Sequence, residues 1–269
     1  MKTEPQILLT NDDGIKSPGL WAAAEALDEL GYVTVIAPRE QASGTGRSFP
    51  STYDGQVHAE KLLVNGKEWT VHALGGTPAM AVLYGIFDLI PGQPDLIVSG
   101  INYGLNVGSG VTISGTVGAA LEGAAAGIPS MAISLETEKE YHASYSLEID
   151  FESAGHFTKY FAESLLSKKM PPDVGVLKVE VPADATPETP WETTRLSTLR
   201  FYRPTPPEEK SDLGVKGLGY EIAPDYDQSP PGTDANAVVN QRVVAVTPLS
   251  LDLTSRVELT ELKKLLDRD

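Results

Sequence analysis

Short apolar runs and helical periodicities alternate along the first two thirds of the chain. Residues 7–9 (Ile-Leu-Leu) form a continuous apolar run, which is typical of a strand buried on both faces of a parallel sheet. Apolar residues then recur at helical spacing from Leu20 to Leu30, Gly31 ends this helix, and a second buried strand runs from Val33 to Ala37. Strand, helix and strand in this order predict the right-handed parallel crossover unit of an α/β protein.

Further elements follow in the same manner. Residues 56–73 predict a β-hairpin, because Asn65-Gly66 stands between two strand-like runs. Thr77 and Pro78 predict the N-cap and first position of a buried helix that extends to about Leu89. The other predicted elements are strands at 95–99, 130–135, 174–181 and 241–246, and helices at 117–126, 151–165 and 258–266.

The amino-acid composition changes after residue 181. Residues 182–233 contain many of the twenty prolines together with charged runs, so we expect an extended arm or hairpin and not a second core. We therefore predict one domain over residues 1–269, with a core at about 6–181, an arm at 182–233 and a C-terminal strand and helix at 234–269.

Composition narrows the classes of function. The 21 basic and 37 acidic residues give a net charge of −16, which argues against a nucleic-acid polymer as a partner but leaves room for a small phosphorylated substrate. The chain has no cysteine, which excludes disulfides, zinc–thiolate sites and cysteine nucleophiles. We see neither a signal peptide nor a membrane-spanning run, and we expect a cytoplasmic protein without a membrane partner.

The first strand ends in a polar sequence, Asn11-Asp12-Asp13-Gly14. In an open α/β sheet, ligands bind beyond the carboxyl ends of the strands, where this pair would lie. Adjacent carboxylates repel each other unless a cation lies beside them, and a divalent metal would supply that charge. The alternative is that one aspartate caps the next helix while the other faces solvent.

Two loops at later strand ends add further oxygen donors. Residues 39–48, which include Ser43, are either a plain connection or an anion-binding loop that uses backbone N–H groups. Residues 100–114 carry Asn102 and Asn106 and lead to Ser114-Gly115-Thr116 at the start of a helix. That helix start is either a phosphate-binding site or an ordinary N-cap at Ser114 or Thr116.

Taken together, Asp12/Asp13, Ser43 and Asn102 are an oxygen-only set of donors, which suits Mg²⁺ or Mn²⁺ and not structural zinc. The four histidines are scattered and show no ligand spacing. A metal beside a helix N-terminus and a glycine-rich loop indicates phosphate-ester chemistry. The sequence has no P-loop, and its carboxylates are adjacent, unlike the acid–x–acid spacing of aspartyl-phosphate phosphatases.

The same stretches resemble the SurE (survival protein E) family over about residues 6–254. The resemblance lies in Ile7–Gly19, Val35–Pro38 with Ser43-Gly44, Gly76–Pro78, Ser99–Asn106, Ser114–Ala120, Gly232–Asp234 and Thr247–Thr254. It implies a metal-dependent phosphatase acting on nucleoside 5′- and 3′-monophosphates, and also on short polyphosphate. The implied fold is a Rossmann-like three-layer αβα sandwich with a mostly parallel sheet and a C-terminal β-hairpin arm that helps to form homodimers or homotetramers.

The resemblance places the metal ligands on Asp12, Asp13, Ser43 and Asn102, with Mg²⁺, Mn²⁺ or Co²⁺ as the cation. Of these, Asp12, Asp13 and Asn102 are the expected catalytic residues. The residues expected to bind phosphate or substrate are Asn11, Ser43, Gly44, Thr45, Asn106, Ser114, Gly115 and Thr116. A nucleotide-binding regulator that does not hydrolyse its ligand is the alternative function, and an intracellular assembly protein is a second one.

Overall fold

A computed structural model describes residues 4–142, 144–210 and 215–267. Its strands are β1 (Gln6–Thr10), β2 (Tyr32–Pro38), β3 (Val57–Val64), β4 (Lys67–Leu74), β5 (Leu96–Tyr103), β6 (Ser130–Leu135), β7 (Val176–Val181), β8 (Trp191–Thr193), β9 (Tyr202–Lys210), β10 (Val215–Ile222) and β11 (Val244–Leu249). Its α-helices are α1 (Pro18–Asp28), α2 (Pro78–Tyr84), α3 (Gly115–Ala125), α4 (Glu152–Ser167) and α5 (Leu259–Leu266).

The main sheet contains nine strands in the order β3-β4-β2-β1-β5-β6-β7-β11-β8. Its centre, from β4 to β7, is entirely parallel, and only the β3–β4 and β7–β11 pairs are antiparallel. Strand β1 lies between β2 and β5. The chain passes from β1 to β2 on one side, and it later crosses to β5 on the other side of β1. This is the topological switch point, where open α/β sheets bind their ligands.

Helices cover both faces of the sheet. On one face, Ile7 and Leu9 pack into an apolar core with α1 and α4, while on the other face Leu8 packs with residues of α2 and α3. This alternation follows from the two-residue period of a strand and explains why all of residues 7–9 are apolar. The three-layer α/β architecture is therefore confirmed.

Several boundaries differ from the sequence prediction. Strand β5 does not end at Ser99 but continues to Tyr103, because its pairing with β6 resumes at Asn102 after an irregularity. Helix α2 passes into a π-helical turn at Gly85–Leu89, and a second such turn at Asn236–Gln241 delays the start of β11 to Val244. The long glycine-rich loop consequently begins at Gly104 and contains a 3₁₀ turn at Gly108–Thr112.

The predicted arm contains an antiparallel hairpin formed by β9 and β10. The hairpin includes only part of residues 182–233, because β8 from this stretch pairs with β11 at the edge of the main sheet. The connection at 211–214 and residues 1–3 of the N-terminal segment lie outside the described residues, and the division into core, arm and C-terminal segment stays a prediction. No described helix combines the length and hydropathy needed to cross a membrane.

A fully buried ion cluster joins β7 to the C-terminal part of the chain. The Lys178 ammonium lies 3.2 Å from Glu180 Oε1 and 3.1 Å from Asp234 Oδ2, and all three side chains are inaccessible to solvent. Burial works to lower the pKa of Lys178, but the two carboxylates outweigh it and raise that pKa, so the ammonium stays charged. Glu180 and Asp234 also accept hydrogen bonds from the backbone N–H groups of Asn106 and Gly108, which fixes the start of the glycine-rich loop.

Replacing Lys178 by methionine should lower the free energy of unfolding by about 3–5 kcal/mol, because two buried carboxylates would lose their cation. Lys159→Met is the matched control, since Lys159 pairs with Glu29 on the surface and its loss should cost less than about 1 kcal/mol. Urea unfolding followed by circular dichroism measures both. A loss at Lys178 no larger than that at Lys159 would contradict this account.

Candidate functional site

Asp12 and Asp13 directly follow β1 at the switch point, and each is only 3% exposed. The turn that carries them is closed by Asn11, whose Oδ1 accepts from Gly14 N at 3.1 Å and whose Nδ2 donates to Gly14 O at 3.2 Å. Gly14 has a φ of +102°, a conformation that favours glycine. The side-chain amide of Asn11 therefore stabilises the turn that carries the two carboxylates, as a donor and as an acceptor.

Asp12 lies against the N-terminus of α3. The Thr116 hydroxyl donates to Asp12 Oδ1, and the backbone N–H groups of Gly115 and Thr116 also stabilise the carboxylate. A Cβ atom at Gly115 would lie 2.7 Å from Asp12 Cβ, so only glycine permits this approach. The positive end of the helix thus serves a carboxylate of the protein itself.

Asp13 is held from two other elements. Its Oδ2 accepts from Tyr103 N at 3.2 Å, and its Oδ1 accepts from Gln41 Nε2 at 3.3 Å. The neighbouring Asn102 donates both amide hydrogens to backbone carbonyls, those of Tyr103 (3.1 Å) and Gly104 (2.6 Å). This fixes the Asn102 amide and leaves its carbonyl oxygen as a candidate ligand atom.

The electrostatics of the pair are unfavourable without a cation. Burial raises the pKa of Asp12, and burial together with the negative charge of Asp12 raises the pKa of Asp13 well above its usual range. Among the described residues, no lysine, arginine or histidine forms an ion pair with either carboxylate. A bound cation would remove the cost of keeping both groups ionised.

The loop that follows β2 is tied to this turn by a 2.7 Å hydrogen bond from Ala42 N to Asp12 O. Ser43 and Gly44 are exposed, Gly44 has a φ of +74°, and the Thr45 hydroxyl donates back to Ala42 O at 2.7 Å. Within the described chain, the N–H groups of residues 43–45 donate to no protein acceptor. Unpaired N–H groups in a tight loop are suited to binding an anion.

Two other predicted contact residues have structural partners. Asn106 donates from its side chain to Ser134 Oγ at 3.1 Å and belongs to the network around Glu180. Ser114 is the N-cap of α3, since its Oγ accepts from Val117 N at 3.1 Å. Their assignment to phosphate stays a prediction. Gln41 was not identified from the sequence, because a glutamine in a loop carries no signal of a partner 28 residues away.

The donor set fits a hard divalent cation. It consists of two carboxylates, the Asn102 amide oxygen and the Ser43 hydroxyl, which are the oxygen ligands that Mg²⁺ and Mn²⁺ favour. In the described residues, no group of three or more His, Asp or Glu side chains is arranged to hold a metal ion. Any site here therefore depends on the neutral oxygens as well as on the two aspartates.

Comparisons with known proteins identify the family of the chain. The family described as "Survival protein SurE" matches residues 7–203. A protein named "5'-nucleotidase SurE" from Thermococcus gammatolerans is 41% identical over 266 residues, covering 97% of this chain and 96% of that protein. One of the same name from Thermococcus kodakarensis is 40% identical over 261 residues, covering 97% and 98%. The crystal structure of the SurE protein from Aquifex aeolicus superposes with a TM-score of 0.74 at 33% identity, covering 98% of this chain and all of that one.

Asp13→Asn should raise the free energy of unfolding of the metal-free protein at neutral pH, because the buried Asp13 carboxylate and its neighbour Asp12 repel each other when both are ionised. The pKa of Asp13 is higher in the folded state than in the unfolded state. The ionised carboxylate therefore destabilises the fold once the pH exceeds the pKa of an unfolded aspartate. The gain should therefore disappear below about pH 4. Urea unfolding in EDTA at several pH values measures it.

Asp54→Asn is the matched control for this measurement. The Gln56 N–H group and Arg39 lower the pKa of the exposed Asp54 carboxylate, so its removal should leave the protein slightly less stable at neutral pH. Equal effects of the two substitutions would contradict the account of the buried pair.

Proposed function

The chain belongs to the SurE family, and from this we propose that it is a 5′-nucleotidase, a phosphomonoester hydrolase that releases phosphate from nucleoside 5′-monophosphates. One observation carries the proposal: two buried carboxylates, which pair with no cationic side chain among the described residues, lie at the switch point of an α/β sheet, next to a loop whose N–H groups donate to no described acceptor. The names of the relatives give the substrate class, and the site gives a chemistry that fits it.

We propose that the reaction depends on a divalent cation, Mg²⁺, Mn²⁺ or Co²⁺, held by Asp12, Asp13, Ser43 and Asn102. When bound, the ion would supply positive charge that activates a water nucleophile and offsets the charge of the phosphoryl oxygens. Burial of the two aspartates and the raised pKa of each support this assignment, because the site favours a cation electrostatically.

The protein's own groups would position the substrate. The N–H groups of Ser43, Gly44 and Thr45 face no protein acceptor, and they suit the non-bridging oxygens of a phosphate. Asp12 accepts hydrogen bonds from the Thr116 hydroxyl and from the N–H groups of Gly115 and Thr116. These three donors therefore orient the Asp12 carboxylate. Ser114, Gly115 and Thr116 would contact the phosphate of the substrate from a position next to Asp12.

Finer features of the activity are part of the same proposal. Hydrolysis of 3′-monophosphates and of short polyphosphate would need the same cation and phosphate contacts, with little demand on the rest of the substrate. The net charge of −16 supports small phosphorylated substrates over nucleic-acid polymers. A chain with no cysteine is compatible with the cytoplasm, which we propose as its location.

Phosphate release should be restored by Mg²⁺, Mn²⁺ or Co²⁺ after EDTA treatment, in an assay with a panel of 5′- and 3′-nucleoside monophosphates. Asp12→Ala should lower the metal-dependent rate by more than about 100-fold, which exceeds the typical cost of losing a residue that only supports a ligand. The fold should persist, because the carboxylate contributes hydrogen bonds and little apolar packing.

Asp54→Asn serves as the control on the same edge of the sheet, and it should retain the wild-type rate. Full activity of Asp12→Ala would show that the site lies elsewhere. Tight binding of nucleotide without release of phosphate under any metal would instead favour the non-hydrolytic regulator.

We further propose that the protein is a homodimer or homotetramer, supported by the arm and by α5. Leu259, Leu262, Leu265 and Leu266 of α5 are all exposed, at 40–82% of their surface. Their spacing places them along one side of the helix, whereas no residue of α5 is buried by the described chain. An apolar stripe of this kind on a short helix requires a partner surface to be stable in water.

Light scattering after size exclusion should give a mass of at least twice 28.7 kDa for the wild type. Leu262→Glu should shift this mass towards the monomer, because a charge would replace an apolar contact on the exposed stripe. Lys264→Glu, a substitution on the same helix outside the leucine stripe, should leave the mass unchanged. A monomeric wild type at micromolar concentration would refute the oligomer.

A further inference from the structure

His142 is linked to the candidate ligand Asp13 through the side chain of Gln41. Its backbone carbonyl accepts a hydrogen bond from Gln41 Nε2 at 2.6 Å, and the same nitrogen donates to Asp13 Oδ1 at 3.3 Å. An amide nitrogen has two hydrogens, so Gln41 can make both bonds at once. The position of the Asp13 carboxylate is therefore linked to the position of residue 142.

The His142 ring also supports the second ligand. A Cβ atom at Gly104 would lie 2.4 Å from His142 Nε2, which shows how closely the ring packs on this part of the backbone. The carbonyl of Gly104 accepts the 2.6 Å hydrogen bond that orients Asn102. Residue 142 thus contacts the support of Asp13 through its backbone carbonyl and the support of Asn102 through its ring.

The arm holds this ring in place. His142 Nδ1 lies 2.9 Å from Tyr220 Oη, and His142 Nε2 lies 3.2 Å from Thr137 O. A carbonyl can only accept, so Nε2 carries the proton and Nδ1 accepts from the Tyr220 hydroxyl. Burial lowers the pKa of His142, which keeps this neutral form in place at physiological pH.

Aromatic packing fixes the ring from two sides. Tyr220 stacks on it at 6.1 Å between centroids with an interplanar angle of 11°, and Tyr202 of the same hairpin meets it edge-on at 5.8 Å. Lys139 lies 4.8 Å above the Tyr220 ring and donates to the Tyr220 carbonyl. The hairpin is thereby attached to the segment that carries His142.

We propose that His142 is a positioning residue for the metal ligands, and that Tyr220 of the arm holds it in the orientation that Asp13 and Asn102 require. The inference rests on the proposed metal site. It follows from a continuous path of contacts: Tyr220 to His142, then through Gln41 to Asp13 and through Gly104 to Asn102. Groups that support ligands in this way typically tune metal affinity without touching the ion.

Three variants separate this role from general packing. Tyr220→Phe keeps the stacked ring and removes only the hydroxyl, Gln41→Ala removes the link to Asp13, and the double variant combines them. Tyr226→Phe is the matched control, because this tyrosine lies near the base of the same hairpin and packs on Phe201, away from His142.

Two measurements report on the variants. Equilibrium Mn²⁺ binding, followed by the electron paramagnetic resonance signal of free Mn²⁺, reports on the ligand set. Hydrogen exchange of the Tyr103 amide in metal-free protein reports on Asp13 directly, since Tyr103 N donates to its Oδ2. Neither measurement requires turnover.

Tyr220→Phe should weaken Mn²⁺ binding by about threefold or more and speed exchange at Tyr103, while Tyr226→Phe leaves both unchanged. Gln41→Ala should act in the same direction. The double variant should weaken Mn²⁺ binding by less than the product of the two single effects, because both changes act on the route through Gln41, while only Tyr220→Phe also acts on the route through Gly104.

The inference is overturned if Tyr220→Phe behaves as Tyr226→Phe does, or if the effects of Tyr220→Phe and Gln41→Ala multiply. A wild type that binds no Mn²⁺ would instead count against the proposed function. In that case exchange at Tyr103 alone decides whether the arm positions Asp13: faster exchange in Tyr220→Phe supports it, and unchanged exchange refutes it.

Discussion

Asp12 and Asp13 place two carboxylates on consecutive buried residues, where like charges repel and water screens them poorly. The surrounding structure reduces this cost with neutral donors: the N-terminus of α3 for Asp12, and Tyr103 N with Gln41 for Asp13. These donors hold the oxygens in place but leave the negative charge uncompensated. A bound cation, as proposed for this site, would lower the cost of keeping both carboxylates ionised.

The second buried charge cluster has the opposite character. Lys178 lies between Glu180 and Asp234, so that cluster contains its own cation and needs no ligand. Its carboxylates also accept hydrogen bonds from the N–H groups of Asn106 and Gly108, which ties the glycine-rich loop to the sheet. The Lys178 cluster therefore stabilises the fold, whereas the Asp12/Asp13 pair is the candidate for binding a ligand. The presence of a lysine distinguishes the two.

Signals that are local in the sequence predicted most of the fold. The apolar runs, the Asn65-Gly66 turn and the Thr77 cap each depend on neighbouring residues, and each is found in the structure. Contacts over long separations were not predictable. Gln41 reaches Asp13 across 28 residues and Lys178 reaches Asp234 across 56, and neither carries a sequence pattern that names its partner. The glycines after Ser99 indicated a loop, whereas pairing with β6 keeps that stretch extended.

The position of α3 also bears on how the proposed substrate would approach. A helix N-terminus after a Ser-Gly-Thr sequence usually indicates an anion site, and here the anion at that position is Asp12. The free N–H groups are found instead in residues 43–45, at the exposed rim of the turn. Asp12, Asp13 and Asn102 are buried, and the loop that carries residues 43–45 is tied to the turn by the hydrogen bond from Ala42 N to Asp12 O, so we propose that a phosphoryl group approaches from this rim.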